Sequence, residues 1–145
     1  MATRDTETLV SAAPRGGGRG PEWSLALAHD CERPATAPLR LALARTTELE
    51  IGRGAERGVR RDGPRVRLDV DDRWASAVHA RLTRAAAGWV IADVDSKNGT
   101  RVNGRRVDHA ELDDGDVIEC GGTFLLLRRA PGPIGDLEAR PAAPV

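Results

Sequence analysis

Short segments in which apolar and polar residues alternate, separated by turn residues, run through the middle of this chain. In residues 39–43 and 65–70 every second side chain is apolar, which places those side chains on one face of a β-strand. Helical periodicity is almost absent. We therefore predict an all-β fold, an antiparallel β-sandwich, because such faces are buried by packing two sheets together. Strands are predicted over residues 23–29, 39–45, 48–52, 65–70, 78–84, 88–93, 117–119 and 123–129.

Two turns are clear in the sequence. Asn103-Gly104 lies inside residues 100–107, and an Asn-Gly pair tolerates the positive φ that a type I′ hairpin needs at both central positions. Residues 112–118 read Leu-Asp-Asp-Gly-Asp-Val-Ile, which predicts a tight acidic turn leading into a strand.

Length and composition indicate one domain with two tails. Aromatic residues make up only 3% of the 145 residues, so the core must be built mainly from aliphatic side chains. Residues 1–20 end in a glycine-rich run, which predicts a disordered N-terminal tail before a domain at 21–130. Residues 131–145 are proline-rich and are typical of a linker or a tail; a linker would connect the domain to an effector domain in a longer chain.

Charge and cysteine content exclude several classes of protein. The chain has 22 basic and 22 acidic residues, so it carries no global field that would attract nucleic acid or a membrane. No apolar run is long enough to span a bilayer. Cys31 and Cys120 lie far apart and lack metal-site spacing, which favours free thiols in a reducing cytoplasm and predicts no metal or cofactor.

Three short motifs follow one another within the strand-rich region. Together they supply a guanidinium, a hydroxyl and a side-chain amide, and these groups suit a phosphate monoester and the peptide backbone beside it. The motifs are Ile51-Gly52-Arg53, Ser76-Ala77-Val78-His79 and Ser96-Lys97-Asn98-Gly99-Thr100.

The order of these motifs resembles the forkhead-associated (FHA) family over roughly residues 23–129. In that family a strand ending in Gly-Arg is followed by Ser-x-x-His, Asn-Gly-Thr, a second Asn-Gly and a Leu-x-Asp-Gly-Asp turn, and all five occur here in that order. The resemblance implies an FHA/SMAD-like sandwich of about eleven strands that recognises phosphothreonine in a partner protein and has no catalytic activity. An upstream Ser/Thr kinase would then produce the ligand.

The resemblance also implies a role for each motif residue. Arg53 and Ser76 would contact the phosphate, and Asn98 would bond the main chain of the bound peptide. Gly52 would let the backbone pack closely, and His79 would hold the loop that carries Ser76 by bonding backbone. The remaining motif residues would form the turns and strand starts around the site: Gly99, Thr100, Asn103 and Gly104.

Two positions depart from the family pattern. The residue after the motif serine is often Arg, Lys or Asn and adds a contact, but Ala77 offers only its backbone N–H. The residue before the Asn-Gly is often Ser or Thr, whereas Lys97 would either restore positive charge near the phosphate or point to water. A set of arginines would either add basic field around the ligand or form a solvated face: Arg57, Arg60, Arg61, Arg65 and Arg67.

Other functions remain as alternatives. Ala77 motivates a phosphate-independent scaffold with a degenerate pocket, and the arginine-rich loop motivates nucleic-acid binding, against which neutral charge and scarce aromatics argue. A hydrolase built on Ser76 and His79 is disfavoured because no Gly-x-Ser-x-Gly elbow is present. The Ala/Arg/Gly-rich composition is typical of a high-GC bacterium, where FHA domains often precede the ATPase module of transcription activators or accompany Ser/Thr kinases.

Overall fold

The structure, a computed structural model, describes residues 22–30, 38–132 and 135–138. The tail expected at 1–20, the thiol of Cys31 and the last seven residues lie outside the described residues. Within those ranges the chain forms thirteen strands and no helix. The strands are β1 (Glu22–Asp30), β2 (Leu39–Ala42), β3 (Glu48–Arg53), β4 (Gly58–Asp62), β5 (Arg65–Val70), β6 (Ala80–Ala85), β7 (Gly88–Asp93), β8 (Thr100–Val102), β9 (Arg105–Val107), β10 (His109–Leu112), β11 (Val117–Cys120), β12 (Thr123–Ala130) and β13 (Leu137–Glu138).

The strands form two sheets. The first has seven strands in the order β9-β8-β11-β12-β1-β2-β13, and the second has six in the order β10-β7-β6-β3-β5-β4. The described pairs are antiparallel except β3 and β5, which run parallel. The predicted all-β sandwich is confirmed, with this one parallel pair added.

The core lies between the sheets and is mainly aliphatic. Residues 39, 41 and 43, which alternate in the sequence, are all buried, and so are the inward residues of β5, as the period-two pattern predicts. Trp89 is the largest fully buried side chain. Burial of a leucine or isoleucine side chain contributes about 1.5–3 kcal/mol, so this set of side chains can hold the sheets together with few aromatics.

The sequence predicted most strands well and missed three. The bounds predicted for β5 and β7 match the structure, and both central residues of the Asn103-Gly104 turn have positive φ, 53° and 83°. No strand was predicted between residues 52 and 65, but this stretch contains β4. That strand carries a single apolar side chain, Val59, and lies at a sheet edge, so alternation did not reveal it. The short strand β10 was missed for a similar reason.

A C-terminal strand forms one edge of the first sheet. The strand β13, within the range expected to be a linker, pairs with β2. The Asp136 carboxylate accepts the backbone N–H of Ala42 at 2.6 Å and two hydrogen bonds from Arg61 Nη2, at 2.8 and 2.9 Å. Because Arg61 belongs to the second sheet, this carboxylate contacts both sheets at the edge of the sandwich.

Strand register brings the motif-bearing ends together. Ile51 near the end of β3 faces Ala80 at the start of β6, and Ala80 faces Asp93 at the end of β7. The loop of residues 71–79 leads into β6, and the loop of residues 94–99 leaves β7. Both loops therefore lie at the same end of the sandwich as Arg53.

Candidate functional site

Arg53 is held against the 71–79 loop by its backbone and its side chain. Its N–H donates to the carbonyl of Ser76 at 2.9 Å, and Nη1 donates to the carbonyl of Ala75 at 2.8 Å. The residue is exposed, and no carboxylate of the described residues pairs with its guanidinium. The remaining guanidinium N–H groups are thus available to an anion from solvent.

The hydroxyl of Ser76 joins the two loops. Its Oγ accepts the backbone N–H of Lys97 at 2.9 Å, while Ser76 itself is half-buried. Within the described part of the chain the hydroxyl donates to no acceptor. A hydroxyl oriented in this way can donate its proton to a bound oxyanion.

Asn98 lies across the same gap. Its Nδ2 donates to the carbonyl of Trp74 at 2.7 Å, which ties the 94–99 loop to the 71–79 loop a second time. The residue is exposed, and its Oδ1 makes no hydrogen bond to the described residues. Because Nδ2 is held by the Trp74 carbonyl, Oδ1 has a fixed position and can accept an N–H from an extended peptide.

His79 is completely buried beneath these loops, at 0% exposure. Its Nδ1 accepts the backbone N–H of Ser76 at 3.0 Å, so the ring proton lies on Nε2, which donates to the carbonyl of Gly99 at 2.8 Å. Its backbone bonds Ile51 and Val94. The ring thus bonds the backbone of both loops. It has no nitrogen left to accept a proton from the Ser76 hydroxyl, so His79 and Ser76 are not a nucleophile–base pair.

Asp93 organises the 94–99 loop. Its carboxylate accepts the backbone N–H of Ser96 at 3.1 Å, the Ser96 hydroxyl, and the Thr100 hydroxyl at 2.7 Å. Burial acts to raise the pKa of Asp93, but the hydrogen bonds from Ser96 and Thr100 outweigh it and hold that pKa below its ordinary value. The Ser96 oxygen in turn accepts the N–H of Gly99 at 3.0 Å, so the turn that presents Asn98 is closed by side chains on both sides.

A second buried carboxylate, which sequence reasoning missed, fixes the other loop. Asp72 is 1% exposed. Its Oδ1 accepts the N–H of Trp74 at 2.8 Å, and its Oδ2 accepts the Gly122 N–H and the Thr123 hydroxyl, both at 2.7 Å. No local pattern reveals this role, because the latter partners lie about fifty residues further along the chain.

Arg67 supports the backbone that carries the motif serine. Its Nη2 donates to the carbonyl of Ala77 at 2.7 Å, while its other nitrogens pair with Glu50 and Asp69. Gly52 lies directly below: a Cβ there would stand 2.0 Å from the Ala77 oxygen and 2.6 Å from Arg67 Nη2. Gly52 therefore packs directly against the backbone of the 71–79 loop, where a larger residue would not fit.

Three members of the arginine set form ion pairs with neighbouring aspartates. Arg60 and Arg67 pair with Asp69, and Arg61 pairs with Asp136, so these three arginines are neutralised by neighbours and contribute little basic field. By contrast, Lys97 beside Ser76 is exposed and makes no ion pair to the described residues. Lys97 thus places an unpaired positive charge beside Ser76.

In the described part of the chain no group of three or more His, Cys, Asp or Glu side chains is placed to hold a metal ion. Among the same residues, no helix has the length and apolar character needed to cross a membrane.

A β-sandwich whose polar site lies on loops at one end is the architecture of a binding module on a rigid scaffold. A sequence model of the FHA domain matches residues 49–121, and the chain belongs to the FHA domain family. It is 50% identical over 52 residues to the ABC transporter ATP-binding/permease protein Rv1747 of Mycobacterium tuberculosis, a match that covers 36% of this chain and 6% of that protein. The chain spans a small part of the curated relatives it matches, 6% and 15% of their lengths.

Solved structures agree with this assignment. The solution structure of the FHA domain of an Arabidopsis thaliana hypothetical protein is 26% identical, with a TM-score of 0.62, covering 86% of this chain and 98% of that one. A structure from a structural and functional analysis of phosphothreonine-dependent FHA domain interactions is 27% identical, with a TM-score of 0.55, covering 76% of this chain and 98% of that one.

Proposed function

We propose that this domain binds a phosphothreonine-containing segment of a partner protein. The observation that carries the proposal is the convergence of three recognition groups at one end of the sandwich: the Arg53 guanidinium, the Ser76 hydroxyl and the Asn98 amide. Arg53 contacts the Ser76 loop, Ser76 bonds Lys97, and Asn98 bonds Trp74, so the groups are held relative to one another before any ligand arrives. Preorganisation of this kind lowers the entropic cost of binding.

The chemistry of the three groups suits a phosphate ester on an extended peptide. A phosphate carries about −1.5 to −2 charges at neutral pH and three acceptor oxygens. Arg53 donates charge-assisted hydrogen bonds to those oxygens, Ser76 donates its hydroxyl proton, and the Lys97 ammonium adds charge. Asn98 bonds the peptide main chain beside the phosphorylated residue. Similarity to FHA domains studied for phosphothreonine-dependent interactions supports the same ligand here.

The cellular setting follows from this ligand. A phosphothreonine reader depends on a Ser/Thr kinase that modifies its partner, so we place the domain in bacterial Ser/Thr-kinase signalling in the cytoplasm, either in a kinase pathway or as the sensory front of a transcription activator. Because the chain matches only a small fraction of its curated relatives, their wider activities are not carried over.

The direct test is Arg53→Ala with a matched control. A charge-assisted hydrogen bond is worth about 1.5–3 kcal/mol, so we expect phosphothreonine peptides selected from a library to bind at least tenfold more weakly to the variant, measured by fluorescence anisotropy. Arg65→Ala removes the same charge at the far end of the same sheet. The strands β3 and β5 run parallel, and Arg65 lies opposite Glu48 at the start of β3, whereas Arg53 is at its end. Equal affinity of wild type and Arg53→Ala, or an equal loss in Arg65→Ala, would reject the proposed role.

A scaffold with a degenerate pocket is the second candidate, and Ala77 favours it. This residue is exposed and supplies no side-chain contact, and its carbonyl is occupied by Arg67. Under this alternative no phosphothreonine peptide of any sequence binds, whereas a folded domain still associates with a neighbouring protein. Sequence-dependent binding of even one phosphothreonine peptide would exclude the scaffold alternative.

A further inference from the structure

The guanidinium of Arg106 lies against the backbone next to Asn98. Arg106 belongs to β9, yet a Cβ placed on Gly99 would stand 2.8 Å from its Nε and 2.9 Å from its Cζ. Gly99 has a φ of +84° and no side chain, so it leaves room for this approach. The side chain therefore reaches the rim of the site from a hairpin that carries none of the three recognition groups.

No group in the described part of the chain neutralises Arg106. It is exposed and makes no hydrogen bond or ion pair to the described residues. Its direct cross-strand neighbour is Arg101, and like charges opposite one another are unfavourable. Arg101 has Glu119 on its other side, but β9 is the last strand of its sheet, so no further strand supplies an acid to Arg106.

The position of Arg106 relative to Ser76 suits a neighbouring residue of the ligand rather than the phosphothreonine. The His79 ring lies between the backbone of Ser76 and the backbone of Gly99, against which Arg106 packs. It accepts the Ser76 N–H at 3.0 Å on one side and donates to the Gly99 carbonyl at 2.8 Å on the other. An extended peptide advances about 3.3 Å per residue, so a ligand that runs from Ser76 to the Gly99 side of this ring brings a residue other than the phosphothreonine to Arg106.

We propose that Arg106 binds a second anionic side chain of the partner segment, a carboxylate or a second phosphate a few residues from the phosphothreonine. The inference rests on the proposed function and specifies its ligand as a segment with two negative groups. An unpaired guanidinium on the rim accepts either anion in a forked arrangement. It also supplies, from another strand, a charged contact that Ala77 lacks.

The test compares glutamate with glutamine along one phosphothreonine peptide. A peptide that binds the wild type is synthesised with Glu or Gln at each of the three positions on either side of the phosphothreonine. We expect Glu to tighten binding about three- to tenfold at one position, and this preference to disappear in Arg106→Gln while the affinity for the Gln peptides is kept. Phosphoserine at the same position distinguishes a second phosphate from a carboxylate.

Arg105→Gln is the matched control, because it removes the same charge from the same strand. Arg105 instead lines a cavity with Val107, Ala110 and Glu111, on the other face of the hairpin. The inference fails if no Glu position gains affinity, if the preference survives in Arg106→Gln, or if Arg105→Gln removes it equally. It also fails if Arg106→Gln weakens all peptides alike, which would indicate a phosphate contact. Absence of binding to any phosphothreonine peptide would instead overturn the proposed function, and this inference with it.

Discussion

At the scale of single residues, the buried ring of His79 links the two loops of the site. It contacts both the Ser76 backbone and the Gly99 backbone, and both of its ring nitrogens are used in doing so. Buried polar groups that lose their partners are costly, so removal of this ring leaves an orphaned N–H, an orphaned carbonyl and a cavity.

We therefore expect His79→Ala to destabilise the domain by about 2–4 kcal/mol in urea unfolding. Phosphopeptide affinity should fall as well, because the loop that carries Ser76 loses its support. His109→Ala is the control: His109 is exposed on β10, and its removal should change the unfolding free energy by less than about 0.5 kcal/mol. Similar unfolding curves for the two variants would contradict the linking role.

Sequence reasoning selected the candidate site residues through their contiguous motifs but did not find the residues that support them. Arg53, Ser76 and Asn98 stand in short motifs, and the structure brings them to one end of the sandwich. Asp72 and Arg106 stand in no motif: Asp72 bonds Thr123, and Arg106 lies against Gly99, only after the chain has folded. Their contribution depends on tertiary distance, which local spacing does not encode.

At the scale of elements, the end of β3 fits tightly under the 71–79 loop. Gly52 is the point of contact, since the Ala77 carbonyl occupies the space that a Cβ would need. Arg67, on the parallel neighbour β5, donates to that same carbonyl. The pairing of β3 with β5 thus shapes the site as well as the sheet.

Gly52→Ala tests this fit. The added methyl group forces the loop away, and we expect a loss of about 2–3 kcal/mol in unfolding free energy together with weaker phosphopeptide binding. Gly58→Ala is the control: Gly58 begins β4, where an added Cβ meets nothing within 4 Å. That variant should retain wild-type stability and affinity. A Gly52→Ala domain with unchanged melting and binding would show that the loop position does not depend on this contact.

The same elements show how far alternation predicts a fold. Strands β5 and β7 were predicted with the correct ends, because their inward side chains are apolar and buried. Strand β4 was not predicted, because an edge strand of polar residues lacks that signal. The parallel pairing of β3 with β5 was also beyond prediction, since pairing between strands separated by a third is not a property of either segment alone.

At the scale of the whole molecule, recognition depends on local charge. With 22 basic and 22 acidic residues the chain has no long-range field to steer an anionic partner. Arg53, Lys97 and Arg106 are nevertheless unpaired among the described residues, at one end of the sandwich. Discrimination between a phosphorylated and an unmodified peptide must then come from direct contacts at this end of the sandwich. An unmodified peptide lacks the phosphate and cannot make most of these contacts.

The most direct measurement is calorimetric titration of one selected peptide in two forms, with phosphothreonine and with unmodified threonine. Two charge-assisted hydrogen bonds are worth about 3–6 kcal/mol, so the phosphorylated form should bind at least about a hundredfold more tightly. Equal heats and affinities for the two forms would contradict the claim that these loops form a phosphate-binding site.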